Sequence, residues 1–128
     1  MARDVLVGAR RGRQEEQAMP LFVTIGYGDR AGYERIAPAL RDVAHAHDEK
    51  LRRDGALMGI AGAPVQLRNP EATRLEATDG AFMSSPLPVA GFAVIEADDM
   101  AQAIRLVSLT PCAVAHGVVE IWPLQAGN

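Results

Sequence analysis

Two histidines on one helical stretch, His45 and His47, and an aspartate before a glycine, Asp79, are the residues whose types could move protons in this chain. An imidazole titrates near neutral pH and serves as acid or base, and a nearby carboxylate can orient it. His47 falls on an apolar stripe with Leu40, Val43, Ala44 and Leu51. It reads either as a pocket-facing imidazole or as a core histidine bonded to backbone or water. His45 falls on the charged side of the same helix, where solvent is its default surrounding. Asp79-Gly80 is a turn pair, serving as an Asx-turn or aiming its carboxylate into a pocket. Tyr27, Phe82 and Met83 could wall such a pocket. Glu120 sits inside an otherwise apolar strand, either as an inward carboxylate that needs a partner or as a residue on an exposed edge. Both readings stand.

Cys112 and His116 are four residues apart after Pro111. A thiol–imidazole nucleophile there would need the loop to fold back, with no acid nearby to orient the ring, so the pairing is disfavoured. There is no glycine-rich phosphate loop leading into a helix and no His/Cys cluster at zinc spacing. Gly26-Tyr27-Gly28 alone is too short a signal for nucleotide binding. The sequence thus points to no metal and no cofactor.

The elements that must position these residues follow from periodicity. Leu21 to Ile25 is β-rich and apolar on both faces at Phe22, Val23 and Ile25, which predicts a central strand. Asp29 to Ala37 is a connection with room for a helical turn. Pro38 suits the first turn of a long helix, which Gly55 stops after Asp54. Its outer face carries Arg41, His45, Asp48, Glu49, Arg52 and Arg53, with favourable pairs Glu49–Arg53 and Asp48–Arg52. Ala56 to Ile60 reads as a second strand, broken at Gly62-Ala63-Pro64 and continued by Val65 to Leu67 as a bent edge. Asn69-Pro70 turns the chain, and Thr73 to Ala77 alternates as a half-exposed strand returning as a hairpin. Phe92 to Glu96 is a strand launched by Gly91. Asp98 caps a second helix with Met100, Ala103, Ile104 and Val107 inward. Gly117 to Trp122 is the last strand, halted by Pro123.

The order β-α-β-β-α-β with an extra hairpin segment describes an α+β, ferredoxin-like antiparallel sheet with two helices on one face. The other face would show more apolar surface than a monomer in water tolerates, so sheet-against-sheet homodimerisation is the expected remedy. One domain of this type fits 128 residues, which allows roughly two thirds of the unfolded surface to be buried. A hydrophobic share of 48%, a charged share of 23% and a net charge of −3 are ordinary for a globular protein and argue against nucleic acid as a partner. The single cysteine suits a reducing, cytoplasmic setting. No apolar run is long enough for a membrane span. Residues 1–19 hold only Val5-Leu6-Val7 to offer a core and read as a poorly ordered extension, with Met19 as an alternative start. The domain itself is expected over residues 20–125.

An ordered set of short motifs resembles the YCII-related domains, in particular the branch named for Asp-Gly-Pro-Phe. It comprises a first strand ending in Tyr27-Gly28, the helix closed by Asp54-Gly55-Ala56-Leu57, then Thr78-Asp79-Gly80-Ala81-Phe82, then Gly91-Phe92, and finally Glu120-Ile121-Trp122-Pro123-Leu124. The resemblance implies a dimeric α+β barrel. It also implies a small-molecule-binding protein or small enzyme of elimination or hydrolysis type, with a pocket near the helix–sheet interface. The helix stripe and the turn at Gly80 make His47 and Asp79 the expected catalytic pair of that pocket. The alternative the resemblance implies is a non-catalytic accessory or regulatory protein, for example one working with a sigma-factor system. Ala81 replaces the motif's proline, Ser84-Ser85-Pro86-Leu87 replaces a charged Glu-Thr-Lys-Glu, and Trp122 stands where the family has arginine. The position of the histidine used by stand-alone YCII proteins falls on Ala44, next to His45. Whether the protein is an enzyme is left open by these departures.

Overall fold

The computed structural model describes residues 20–125; the expectation for residues 1–19 lies outside them. Six strands and four helices follow in the order β1 (Leu21–Tyr27), α1 (Arg30–Glu34), α2 (Pro38–Arg53), β2 (Leu57–Ile60), β3 (Val65–Arg68), β4 (Glu76–Asp79), β5 (Val89–Glu96), α3 (Met100–Val107), α4 (Pro111–Val114) and β6 (Val118–Leu124). The main sheet has the order β2-β5-β1-β6, antiparallel throughout. This is the ferredoxin-like α+β arrangement, and β1 is central as its doubly apolar sequence requires. The hairpin β3–β4 forms a separate two-stranded sheet inserted between β2 and β5.

Alternation along the strands assigns the two faces. Phe22, Thr24 and Gly26 of β1 are buried, as are Ala93 and Ile95 of β5, opposite Thr24 and Phe22. With Ala97, Ala103 and Val107 they form the core beneath α3, against which Met58, Val119 and Ile121 pack. The intervening residues, Val23, Ile25, Phe92, Val94, Glu120 and Trp122, point to the opposite, open face.

Several boundaries differ from the sequence reading for local reasons. Val65–Arg68 is not an extension of β2, because it pairs with Glu76–Asp79 instead. Asp99, not Asp98, caps α3: its carboxylate accepts from the Gln102 amide at 2.8 Å. Ile104 faces outward, while Ala103 and Val107 are buried. β5 begins at Val89, with Gly91 inside it. Pro123 does not halt β6 but lies within it opposite Phe22, a position open to proline because β6 is an edge strand. The inward phase of α2 is also shifted. Ala44 and Leu51 are buried and Asp48 lies half-buried between them, whereas Leu40 and Val43 are exposed. The outer face is tied by Lys50–Asp54 at 2.7 Å and Arg52–Glu49 at 2.6 Å in place of the expected pairs.

Candidate functional site

On the helix side, His47 Nε2 lies 2.6 Å from the Leu106 carbonyl oxygen. The oxygen can only accept, so the ring donates from Nε2 and ties α2 to α3. This is the core-histidine reading in geometric form. His45 is exposed and shares a 2.7 Å hydrogen bond with the Tyr33 hydroxyl, over whose ring the Arg41 guanidinium lies at 4.9 Å. Asp48, placed on the solvated face by the sequence reading, buries its Oδ1 with no hydrogen-bond partner among the described residues. Burial raises its pKa, opposed by Arg52, His45 and His47. The spacing Ala44, Asp48, Leu51 was the available signal, since steps of four and three share a helix face.

Cys112 sits on α4 against β1, so close that a Cβ on Gly26 would meet its sulfur at 2.8 Å. Burial, reinforced by the charge of Asp48, pushes the thiol pKa up. That is the reverse of an activated nucleophile. His116 is exposed in the left-handed region at φ 64°. Among the described residues, no three His, Cys, Asp or Glu side chains gather as a metal site.

A different group forms on the open face. Val119 and Ile121 pack into the core, which turns Glu120 between them outward. Its Oε1 accepts from the Tyr27 hydroxyl at 3.0 Å and from Trp122 Nε1 at 3.2 Å. The Tyr27 hydroxyl also lies 3.5 Å from Met83 Sδ. Tyr27 is only 8% exposed; burial, with the adjacent carboxylate, raises its pKa and keeps it a phenol. A cavity of about 720 Å³ opens beside it, walled by Val65, Leu67, Phe82, Met83 and Phe92, with Arg68 on the hairpin side. Phe82, though 80% exposed, carries the Arg68 guanidinium 5.8 Å from its ring centre.

The loop that brings Phe82 and Met83 there depends on Gly80. Its φ of +106° favours glycine, and its N–H donates to the Pro64 carbonyl at 3.0 Å, closing the hairpin. Asp79 ends β4 opposite Val65 and is exposed. Tyr27, Phe82, Met83 and Glu120 are thus brought together on the open face. His47 is held in the helix layer, and neither it, His45 nor Asp79 lines the cavity. The cavity lies across the sheet from the helices, and so not at the expected helix–sheet interface. Arg68 and Trp122 are the residues that sequence reasoning did not assign to a site. The strand period gave the one available hint, because it puts Trp122 and Glu120 on one face.

Fold and site together define a ferredoxin-like α+β protein with an open sheet face that carries a polar cluster and a cavity. No model of a known protein family and no curated protein matches the chain. Among the described residues no helix is long and apolar enough to cross a membrane.

Proposed function

We propose that the chain is a YCII/DGPF-like small-molecule-binding protein or small enzyme whose site is the open-face cavity. The observation that carries the reading is Tyr27 in the wall of that cavity, its hydroxyl fixed by a 3.0 Å hydrogen bond to Glu120 outside the lining. A fixed hydroxyl on a largely apolar wall is the usual form of a small-molecule site, and the volume falls within the roughly 300–1,000 Å³ of such sites. Elimination or hydrolysis is the reaction class in view. The proton-transfer pair proposed for it is Tyr27 and Glu120, since His47 already donates to Leu106. The open face itself we assign to a second copy, giving a homodimer through the sheets. Its uncovered side chains include Leu57 and Trp122, 74% and 56% exposed. The single cysteine suits a cytoplasmic setting.

A thermal-shift screen of small organic compounds against the wild type and Tyr27→Phe tests the reading. Hits on the wild type that weaken in Tyr27→Phe, while His47→Gln keeps them, are the expected result. Hits lost only in His47→Gln would return the site to the helix layer. The same exposed face favours a second reading, an accessory protein that docks a regulator such as a sigma factor. That reading predicts no small-molecule hits and a monomer that pairs only with its partner.

A further inference from the structure

The cavity has two walls of opposite character. On the hairpin wall, Arg68 donates to Gln66 Oε1 at 2.9 Å and lies over the Phe82 ring. On the sheet wall stands Tyr27, whose hydroxyl donates to the Glu120 carboxylate behind it, outside the lining, on the oxygen that Trp122 also holds. Neither charge meets an opposite charge among the ion pairs of the described residues. Glu76, directly across the hairpin from Arg68, is taken instead by Arg74 at 2.8 Å. A charge beside apolar walls is costly to desolvate unless an opposite charge or a donor meets it. Of the tyrosine, only the hydroxyl proton is committed, to Glu120; its oxygen still has acceptor capacity toward the cavity. The hairpin wall therefore offers donors and positive charge, and the sheet wall offers the Tyr27 oxygen as acceptor, with the negative charge of Glu120 behind it.

We infer that the cavity binds a compact, ring-sized apolar molecule bearing an acid group at one end and a hydrogen-bond donor at the other. The carboxylate meets Arg68, where a guanidinium fork can hold both oxygens. The donor, an ammonium or a hydroxyl, meets the Tyr27 oxygen, with the Glu120 charge behind it. The ring lies against Phe82, Met83 and Phe92. This inference rests on the small-molecule reading and adds the ligand class to it.

Calorimetric titration of the full chain with four probes tests it. 4-(Aminomethyl)benzoate and 4-(hydroxymethyl)benzoate carry both ends; 4-methylbenzoate lacks the donor, and benzylamine lacks the acid. At least one two-ended probe should bind roughly tenfold more tightly than either single-ended one, the gain usual for a charge-assisted hydrogen bond. The preference between the ammonium and hydroxyl probes identifies the donor. Arg68→Gln should remove the advantage over benzylamine, and Tyr27→Phe, which removes the acceptor at the sheet wall, the advantage over 4-methylbenzoate. Equal binding of all four, unchanged by either substitution, overturns the two-ended ligand class but leaves an apolar pocket standing. Binding of none of them overturns the pocket as well.

Discussion

The two faces of the main sheet are built from different side chains. Under the helices the sheet presents Thr24, Gly26, Gly91 and Ala93, met by Ala97 and Ala103, with Phe22 and Ile95 as larger buried members and Met58, Val119 and Ile121 packed at the margin. The open face carries Ile25, Leu57, Phe92, Val94, Trp122 and Leu124. Small side chains let α3 and α4 approach the strands closely, so that face is complete within the chain. On the open face Leu57, Phe92, Trp122 and Leu124 are 48–74% exposed. At about 25 cal/mol per Å² of apolar surface removed from water, covering that face would contribute substantially to stability. The contrast divides the labour: the helix face stabilises the fold, and the open face binds.

The sharpest way to break this contrast is to truncate one aromatic on each face. Phe22→Ala should cost about 3–5 kcal/mol in urea unfolding, as for other buried phenylalanines. Phe92→Ala should cost under ~1 kcal/mol in the monomer because its ring is already half exposed. Equal losses would mean that the faces are not distinct. Overpacking the closed side should cost somewhat less. A Cβ at Gly117 would meet the Tyr27 carbonyl oxygen at 2.1 Å and that of Cys112 at 2.7 Å. Both are backbone, so Gly117→Ala is expected to lose about 2–3 kcal/mol; an unchanged urea midpoint would show that β6 can shift.

The smallest effect concerns Asp48, an acid on the closed side. Its folded pKa is raised above 3.8, chiefly by burial, so folding favours the protonated form. The associated stability is full below the ordinary carboxylate range and is lost as pH rises through the folded value. Asp48→Asn should flatten that slope. At neutral pH it should be the more stable protein by less than ~1 kcal/mol, since partial exposure screens the charge. Urea midpoints measured in acid and at neutrality check this; a parent that gains stability over the variant as pH rises would reverse the sign.

Much of the fold was legible because strand alternation and helix caps are local. The doubly apolar β1, the stop at Gly55 and the turn at Asp79-Gly80 all carry their cause in a few residues. The phase of α2 was misread because Leu40 and Val43 outweigh Asp48 in any hydropathy pattern. Burial of an acid depends on what packs opposite, here α4 with Cys112. The β3–β4 hairpin was legible from the Asn69-Pro70 turn and the alternation after it, but its separation from β2 was hidden, since leaving one sheet for another is a long-range choice. The site was half legible. Tyr27, Phe82, Met83 and Glu120 were singled out by type, but only the register of β1 with β6 brings Tyr27 beside Glu120. His47 looked chemical by type, and the Leu106 carbonyl that engages it lies 59 residues away in sequence.

Trp122 offers the most direct measurement of whether a second copy completes the open face. It is the chain's single tryptophan, lies on that face and is 56% exposed in the lone chain. Its emission and its quenching by acrylamide should be followed from nanomolar to high micromolar protein, with mass measured by sedimentation. Pairing through the sheets predicts that emission shifts to the blue and quenching falls as the mass doubles, and that Phe92→Asp abolishes all three changes. A mass that doubles while Trp122 stays fully quenchable, or a monomer at every concentration, would contradict the assignment.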